Sequence, residues 1–331
     1  MNSSDAPLGS DANVSAARSD PGDTRANGLA AASRRPVLVT LMRRELWEHR
    51  ALWIAPLLVA VLLIGTAFVG TIHLSDQDAH GGHAPGHINV QIYGALQWVT
   101  ALPQLLVMAI VLNFYLLDCL YAERRDRSIL FWKSLPVGDG VTVASKLLVA
   151  LLVVPVGVFL LSALSNLLIV SILNLRAVLP PLSGTISQWD TLMWIKQEAM
   201  ILVILLLSVL WYAPAAAYLA LLSAWARRTV VLWAVLPPLL LLYLEWYALD
   251  THHIYRFLEY RTVGIWQIMH LGTAIESAAT LHTPANSVLA GDFGSLQLWP
   301  ALTNIDLWLG LAAAIGLAWL AARVRRFRDD T

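Results

Sequence analysis

Three histidines crowd one stretch, His80-Gly81-Gly82-His83-Ala84-Pro85-Gly86-His87, with His73, Asp76 and Asp78 upstream. Imidazoles at that density could bind zinc, copper or nickel. The glycines and the proline give them no fixed geometry, and no neighbouring group orients the rings. The stretch is therefore read as a solvated histidine-rich loop, and no metal is assigned to the chain. A zinc titration of the loop peptide tests this, and saturation at micromolar metal would reverse it.

A membrane-embedded enzyme needs acids, bases or metal ligands at membrane depth. Asp118 and Glu245 come closest, each near the end of an apolar run, while Asn113, Ser162, Ser165 and Asn166 are poor catalysts alone. Asp118 is expected to pair with Arg124 or Arg125 rather than to do chemistry. No His-Glu-x-x-His pair occurs. The single cysteine, Cys119, excludes an internal disulfide or a cysteine zinc site and reads as a small buried apolar residue. No lysine follows a glycine, so the phosphate-binding loop G-x-x-x-x-G-K-[ST] is absent. The chain is not expected to be an enzyme or to bind a cofactor.

The elements that carry these residues follow from hydropathy. Of 331 residues, 58% are hydrophobic and only 13% are charged, about half the ~25% of soluble domains. Most of the chain therefore does not face water. Net charge is zero, which gives no reason to expect nucleic acid as a partner. Six apolar runs approach the ~20 residues that cross a bilayer. They are about Trp53–Thr71, Val99–Leu120, Leu147–Ile172, Ala199–Leu222, Val230–Ala248 and Ile305–Ala322. In lipid such runs must be helical, because only a helix satisfies its own backbone groups. Pro155 lies in the third run, and Pro237-Pro238 should kink the fifth.

Lysine and arginine set the orientation. Eighteen of the 22 lie in the N-terminal segment, in 121–146, in 223–230 and after Leu320; the alternate loops hold four. The split places both termini in the cytosol. Trp53, Trp98, Trp225, Trp233, Trp246, Trp308 and Trp319 sit near span ends, as an aromatic belt would. Trp189 and Trp194 are placed in an external loop at the headgroups.

Residues 1–34 are a polar, aperiodic mixture and read as a disordered cytosolic tail. Ser33-Arg34-Arg35-Pro36 looks like a twin-arginine signal, but the charges from Arg43 to Arg50 interrupt the apolar core it would need. Segment 35–52 instead reads as an amphipathic helix in the cytoplasmic interface, with Leu38, Leu41, Met42 and Leu46 on one face and the charges on the other. The six-span domain covers 53–323, with a large external loop at 249–304 and a short cytosolic tail at 324–331. Ile265–Leu281 is apolar enough for an external helix on the membrane surface. Ala312 and Gly316 form a small-xxx-small pair that could bring helices close, within or between chains.

The cytosolic loop 121–146 carries an unusual combination. Arginines and acids are followed by Ile129-Leu130-Phe131-Trp132, then Lys133-Ser134-Leu135-Pro136. Asp126 or Ser128 would cap a short helix here, and Pro136 with Gly138-Asp139-Gly140 would end it. Exposed aromatic and aliphatic anchors beside arginines suit protein docking.

The run Glu123-Arg124-Arg125-Asp126-Arg127-Ser128-Ile129-Leu130-Phe131-Trp132-Lys133-Ser134-Leu135-Pro136, followed by Ser145-Lys146, resembles the permeases of ABC-2 type transporters, mostly bacterial export systems. Arg43-Arg44-Glu45-Leu46-Trp47-Glu48 is similar to that family's N-terminal interface helix, and the resemblance runs from about residue 36 to the end. It implies an all-α fold and a substrate pathway across the bacterial inner membrane. It also implies a coupling helix after the second span, seated in a groove of a separate cytosolic ATPase that holds the ATP and magnesium. Glu123, Arg124, Arg125, Asp126, Arg127 and Lys133 would contribute to that contact, with Ile129, Phe131 and Trp132 as anchors. A second permease copy, identical or paralogous, would complete the pathway. Three alternatives stand beside this: an ABC-2-like subunit used for assembly or mechanical work, a stand-alone transporter, and a membrane enzyme.

Overall fold

The computed structural model describes residues 37–69, 85–126, 138–178, 191–269 and 298–327, and these are helical apart from short turns. Contacts divide the chain into two compact units, Met1–Leu41 and Met42–Thr331. The first is described only at 37–41, which are helical. The expected tails at 1–34 and 328–331 and the histidine loop fall outside the described residues, as does the side chain of His87.

Helix α1 covers 37–48. It is followed by α2 (Ala51–Val69), α3 (Pro85–Asp118), the short α4 (Tyr121–Arg125) and α5 (Asp139–Leu148). A π-helical segment, Val149–Val153, joins α5 to α6 (Val154–Val178). Then come α7 (Thr191–Trp225), α8 (Val230–Leu244), a second π segment (Glu245–Leu249), α9 (His253–Ile268), α10 (Leu298–Thr303) and α11 (Ile305–Phe327). Among the described residues, six helical stretches are long and apolar enough to cross a membrane: Ala51–Val69, Leu96–Arg125, Asp139–Arg176, Thr191–Trp225, Val230–Ala248 and Ile305–Phe327. They coincide with the six apolar runs.

The π segment before Pro155 has a local cause. Proline cannot donate to the preceding turn and its ring crowds the carbonyl four residues back. A wider turn relieves both, and helices use π segments this way. The third span also starts earlier than expected. Gly138 is its N-cap and Asp139 its first residue, where a carboxylate favours the helix dipole; the helix that Pro136 and Gly138-Asp139-Gly140 are expected to end lies outside the described residues.

Side-chain contacts fix which helix ends meet. At one end lie the start of α2, the ends of α3, α7 and α11, and the starts of α5 and α8. At the other end the Arg176 guanidinium donates to the Ala67 carbonyl at 2.6 Å, joining the ends of α2 and α6. Successive spans thus run antiparallel, and the first begins at the end where the last finishes. The sequence concentrates its arginines at that end, termed the basic end below.

The exposure pattern is inverted relative to a water-soluble protein. Leu57, Leu58, Val61, Leu62, Leu239 and Leu240 are exposed, whereas Gln97, Gln104, Asn166, Gln197 and Glu198 are buried. That is how a chain surrounded by lipid hides its polar groups. The main core joins Leu52, Trp98, Met108, Met200, Trp211 and Leu307. Trp98 therefore corrects the aromatic-belt expectation: it is buried, while Trp225, Trp233, Trp246, Trp308 and Trp319 are exposed. Helix α11 packs on α7 through Ala314 against Ala213 and Ala217. Ala312 and Gly316 are exposed, and a Cβ on Gly316 would meet nothing within 4 Å, so packing among the described residues does not explain the pair.

Candidate functional site

The basic end contains a cluster of buried charges drawn from four elements. Glu45 comes from α1, Glu123 from α4, Lys146 from α5 and Arg325 from α11; their relative exposures are 2, 6, 2 and 3%. The Lys146 ammonium lies 2.6 Å from Glu45 Oε1 and 3.1 Å from Glu123 Oε1. Arg325 Nη2 lies 2.9 Å from Glu123 Oε2, and its Nε 3.6 Å from Asp139 Oδ1. The second oxygen of Glu45 accepts from the Tyr115 hydroxyl at 3.2 Å and lies 3.9 Å from His49 Nε2. Burial holds the His49 imidazole below its ordinary value, against the opposing pull of Glu45.

The burial of Glu45 corrects one expectation. Helical spacing put the α1 charges on the face opposite Met42 and Leu46. Arg43, Trp47 and Glu48 are exposed, and Arg44 bonds Glu48 at 2.7 Å, but Glu45 turns inward to meet Lys146. A desolvated carboxylate is tolerable only beside such a partner.

Helix α4 is a junction. The Ser223 hydroxyl of α7 accepts from the amides of Leu120 and Tyr121, both at 3.0 Å. Arg124 donates to the carbonyls of Ser223 and Ala226, where a cation suits the C-terminal end of a helix. Glu123 reaches Lys146 and Arg325. The five residues of α4 thus hold the feet of the third, fourth and sixth spans together.

This geometry corrects one further expectation. Asp118 pairs with neither arginine: Arg124 goes to α7, and Arg125 directs its Nε to Asp126 Oδ1 at 3.1 Å. Asp126 closes α4, its amide donating to the Ala122 carbonyl at 2.9 Å, and the helix that Asp126 or Ser128 is expected to cap lies outside the described residues. Of the loop residues singled out in the sequence, Glu123 and Arg124 turn into the bundle, while Arg125 and Asp126 are exposed. Arg127, Ile129, Phe131, Trp132 and Lys133 lie outside the described residues. Cys119 is buried beside this cluster.

The opposite end holds a polar network. Gln97 donates to Glu198 Oε1 at 3.1 Å, Asn166 to the Thr100 hydroxyl at 3.2 Å, and the Trp194 indole to Asn166 Oδ1 at 2.9 Å. Trp194 is therefore a helical residue of α7 rather than a loop residue, and Trp189 lies outside the described residues. Among the described residues, Asn113 bonds its own helix, donating to Ala109 O at 2.8 Å.

Glu245 also finds a structural role. Its buried carboxylate accepts from the amides of His253, Ile254 and Tyr255 and so starts α9. A helix, α9, spans His253–Ile268; the expected helix over Ile265–Leu281 lies mostly outside the described residues, which end here at 269 and resume at 298. Helix α9 is held onto the bundle by the Trp211 indole donating to the Arg261 carbonyl at 2.9 Å, and by Tyr260 donating to Asp306 Oδ2 at 3.0 Å.

Sequence reasoning passed over Lys146, Arg325 and Glu198 as site residues. A signal existed for Lys146, one of only three lysines and set at the head of a long apolar run. No family model matches the chain, and neither a curated protein nor a solved structure matches it.

Proposed function

We propose that this chain is the membrane-spanning permease subunit of an ABC-2 type export system. In this reading the basic end faces the bacterial cytosol, both termini lie there, and the pathway crosses the inner membrane. A separate ATPase supplies ATP and magnesium chemistry, since this chain has no phosphate-binding loop. A second permease copy completes the assembly, and the outward face of Ala312 and Gly316 suits close helix approach.

The observation that carries the proposal is the position of α4. It opens the loop expected to dock on the ATPase, and its Glu123 contacts Lys146 at 3.1 Å and Arg325 at 2.9 Å. Lys146 in turn contacts Glu45 at 2.6 Å, ahead of the first span. A displacement imposed on the loop would thus reach the first, third, fourth and sixth spans through short polar contacts. Such contacts carry force because a buried charge cannot leave its partner without a large penalty. Within the loop, the docking surface is assigned to Arg125, Asp126 and the Arg127–Lys133 segment. Glu123 and Arg124 act from inside as its anchor.

The test is affinity purification of the tagged protein from its native membrane in mild detergent. The proposal expects an ATP-hydrolysing partner at equal stoichiometry. Preparations free of any ATPase across several detergents would overturn it.

A further inference from the structure

Beside the charge cluster, a cavity of about 580 Å³ opens between the start of α2, the end of α3 and the start of α8. That size suits a small organic ligand. Its walls are mostly apolar, with Leu52, Val111, Phe114, Val230 and Val231 among them. Three polar groups at its basic end matter: Tyr115, His49 and Asp118. Tyr115 spends its hydroxyl proton on Glu45. His49, with its proton affinity lowered by burial, is neutral near neutral pH. Asp118 is the acidic group of the lining and has no ion pair or side-chain hydrogen bond among the described residues. Arg125, the cation that follows it on α4, is exposed and bonds Asp126; it feels Asp118 through a longer-range Coulombic pull without forming an ion pair with it. Phe114 also lines the space, and an aromatic ring attracts cations; the Tyr121 ring, likewise in the lining, already carries the Arg125 guanidinium at 5.9 Å.

We infer that this cavity is a binding site for lipophilic cations, with Asp118 as the counter-charge and the walls of α2, α3 and α8 taking the apolar body. An unpaired carboxylate at the polar end of an apolar cavity selects one charge and one shape. A neutral ligand leaves the carboxylate uncompensated, and an anion is repelled. The site goes beyond the permease reading, because binding here needs neither a partner nor nucleotide. If the chain is an exporter, the inference also names a class of molecule it can take from the basic end.

The experiment uses the full chain alone in dodecylmaltoside, whose headgroup is uncharged, with radiolabelled tetraphenylphosphonium in equilibrium dialysis. Saturable binding is expected at one site per chain. Asp118→Asn should weaken it at least tenfold, and Val231→Trp, which fills the cavity while leaving the carboxylate, should abolish it. Glu259→Gln, an exposed exchange on α9, should leave it unchanged. Tetraphenylborate, of the same shape and opposite charge, should not compete. The inference is overturned if no saturable binding occurs, if Asp118→Asn binds as tightly as the natural chain, or if tetraphenylborate competes equally. Matching thermal unfolding of Asp118→Asn and the natural chain separates loss of the site from loss of the fold. Because no ATPase is present, failure of the permease reading leaves this result untouched.

Discussion

Exchanging Lys146 for methionine removes the cation between Glu45 and Glu123 while keeping most of the side chain's bulk. At an effective dielectric constant of about 20, unit charges 2.6 and 3.1 Å apart attract by roughly 6 and 5 kcal/mol. Desolvation of the three groups, several kcal/mol for each ion, takes back most of this. Removing one partner reverses the advantage and leaves the penalty, which costs about 3–5 kcal/mol in buried pairs. The two acids do not suffer equally. Glu123 keeps Arg325 at 2.9 Å, while Glu45 keeps the Tyr115 hydroxyl at 3.2 Å and a neutral His49. The stranded charge is therefore Glu45. Lys146→Met alone should lose about 3–5 kcal/mol, and adding Glu45→Gln should restore roughly 2 kcal/mol by removing that charge. Unfolding by denaturant in detergent, followed by tryptophan fluorescence, reads both. The reasoning fails if Lys146→Met costs under about 1 kcal/mol, or if Glu45→Gln worsens it.

His49 is held below its ordinary proton affinity by burial, so on acidification the unfolded chain takes up this proton before the folded one does. Its contribution is fully present above pH ~6.5 and declines as the pH falls below that value. His49→Asn should flatten that limb of the stability profile, and parallel profiles for the two chains would count against it. Glu245→Ala should speed hydrogen exchange at the start of α9 about tenfold, since a capping carboxylate is worth roughly 1–2 kcal/mol; unchanged exchange at 253–257 would refute the cap. Gly310→Ala drives a Cβ into Arg261 Nη2, so the guanidinium must leave the Trp211 ring over which it sits at 4.7 Å. The expected cost is about 0.5–2 kcal/mol, accompanied by a change in indole fluorescence.

The six spans were legible because a bilayer demands long apolar runs, and such runs are visible without knowing their neighbours. Their ends were less so. Helix α7 begins at Thr191, eight residues before its apolar run, because helical backbone continues into the polar turn that carries Trp194 and Glu198. Periodicity misassigned Glu45, since a one-helix pattern cannot see a lysine 101 residues away that makes an inward carboxylate tolerable. The same limit hid Arg325 altogether, and for Glu123, which the sequence did single out, it hid the inward pairing that exists only once four helix ends converge. Asp118 was correctly singled out as unusual, but its expected partners are engaged elsewhere: Arg124 with α7 and Arg125 with Asp126.

The most direct test of the central claim compares the natural chain with Phe131→Ala/Trp132→Ala after purification in mild detergent, measuring ATP hydrolysis that travels with the tagged protein. The account predicts a stoichiometric ATPase with the natural chain and its loss from the variant, whose own fold and yield stay intact. Equal ATPase association in both would contradict docking through the loop after the second span, and none with either would contradict the permease assignment.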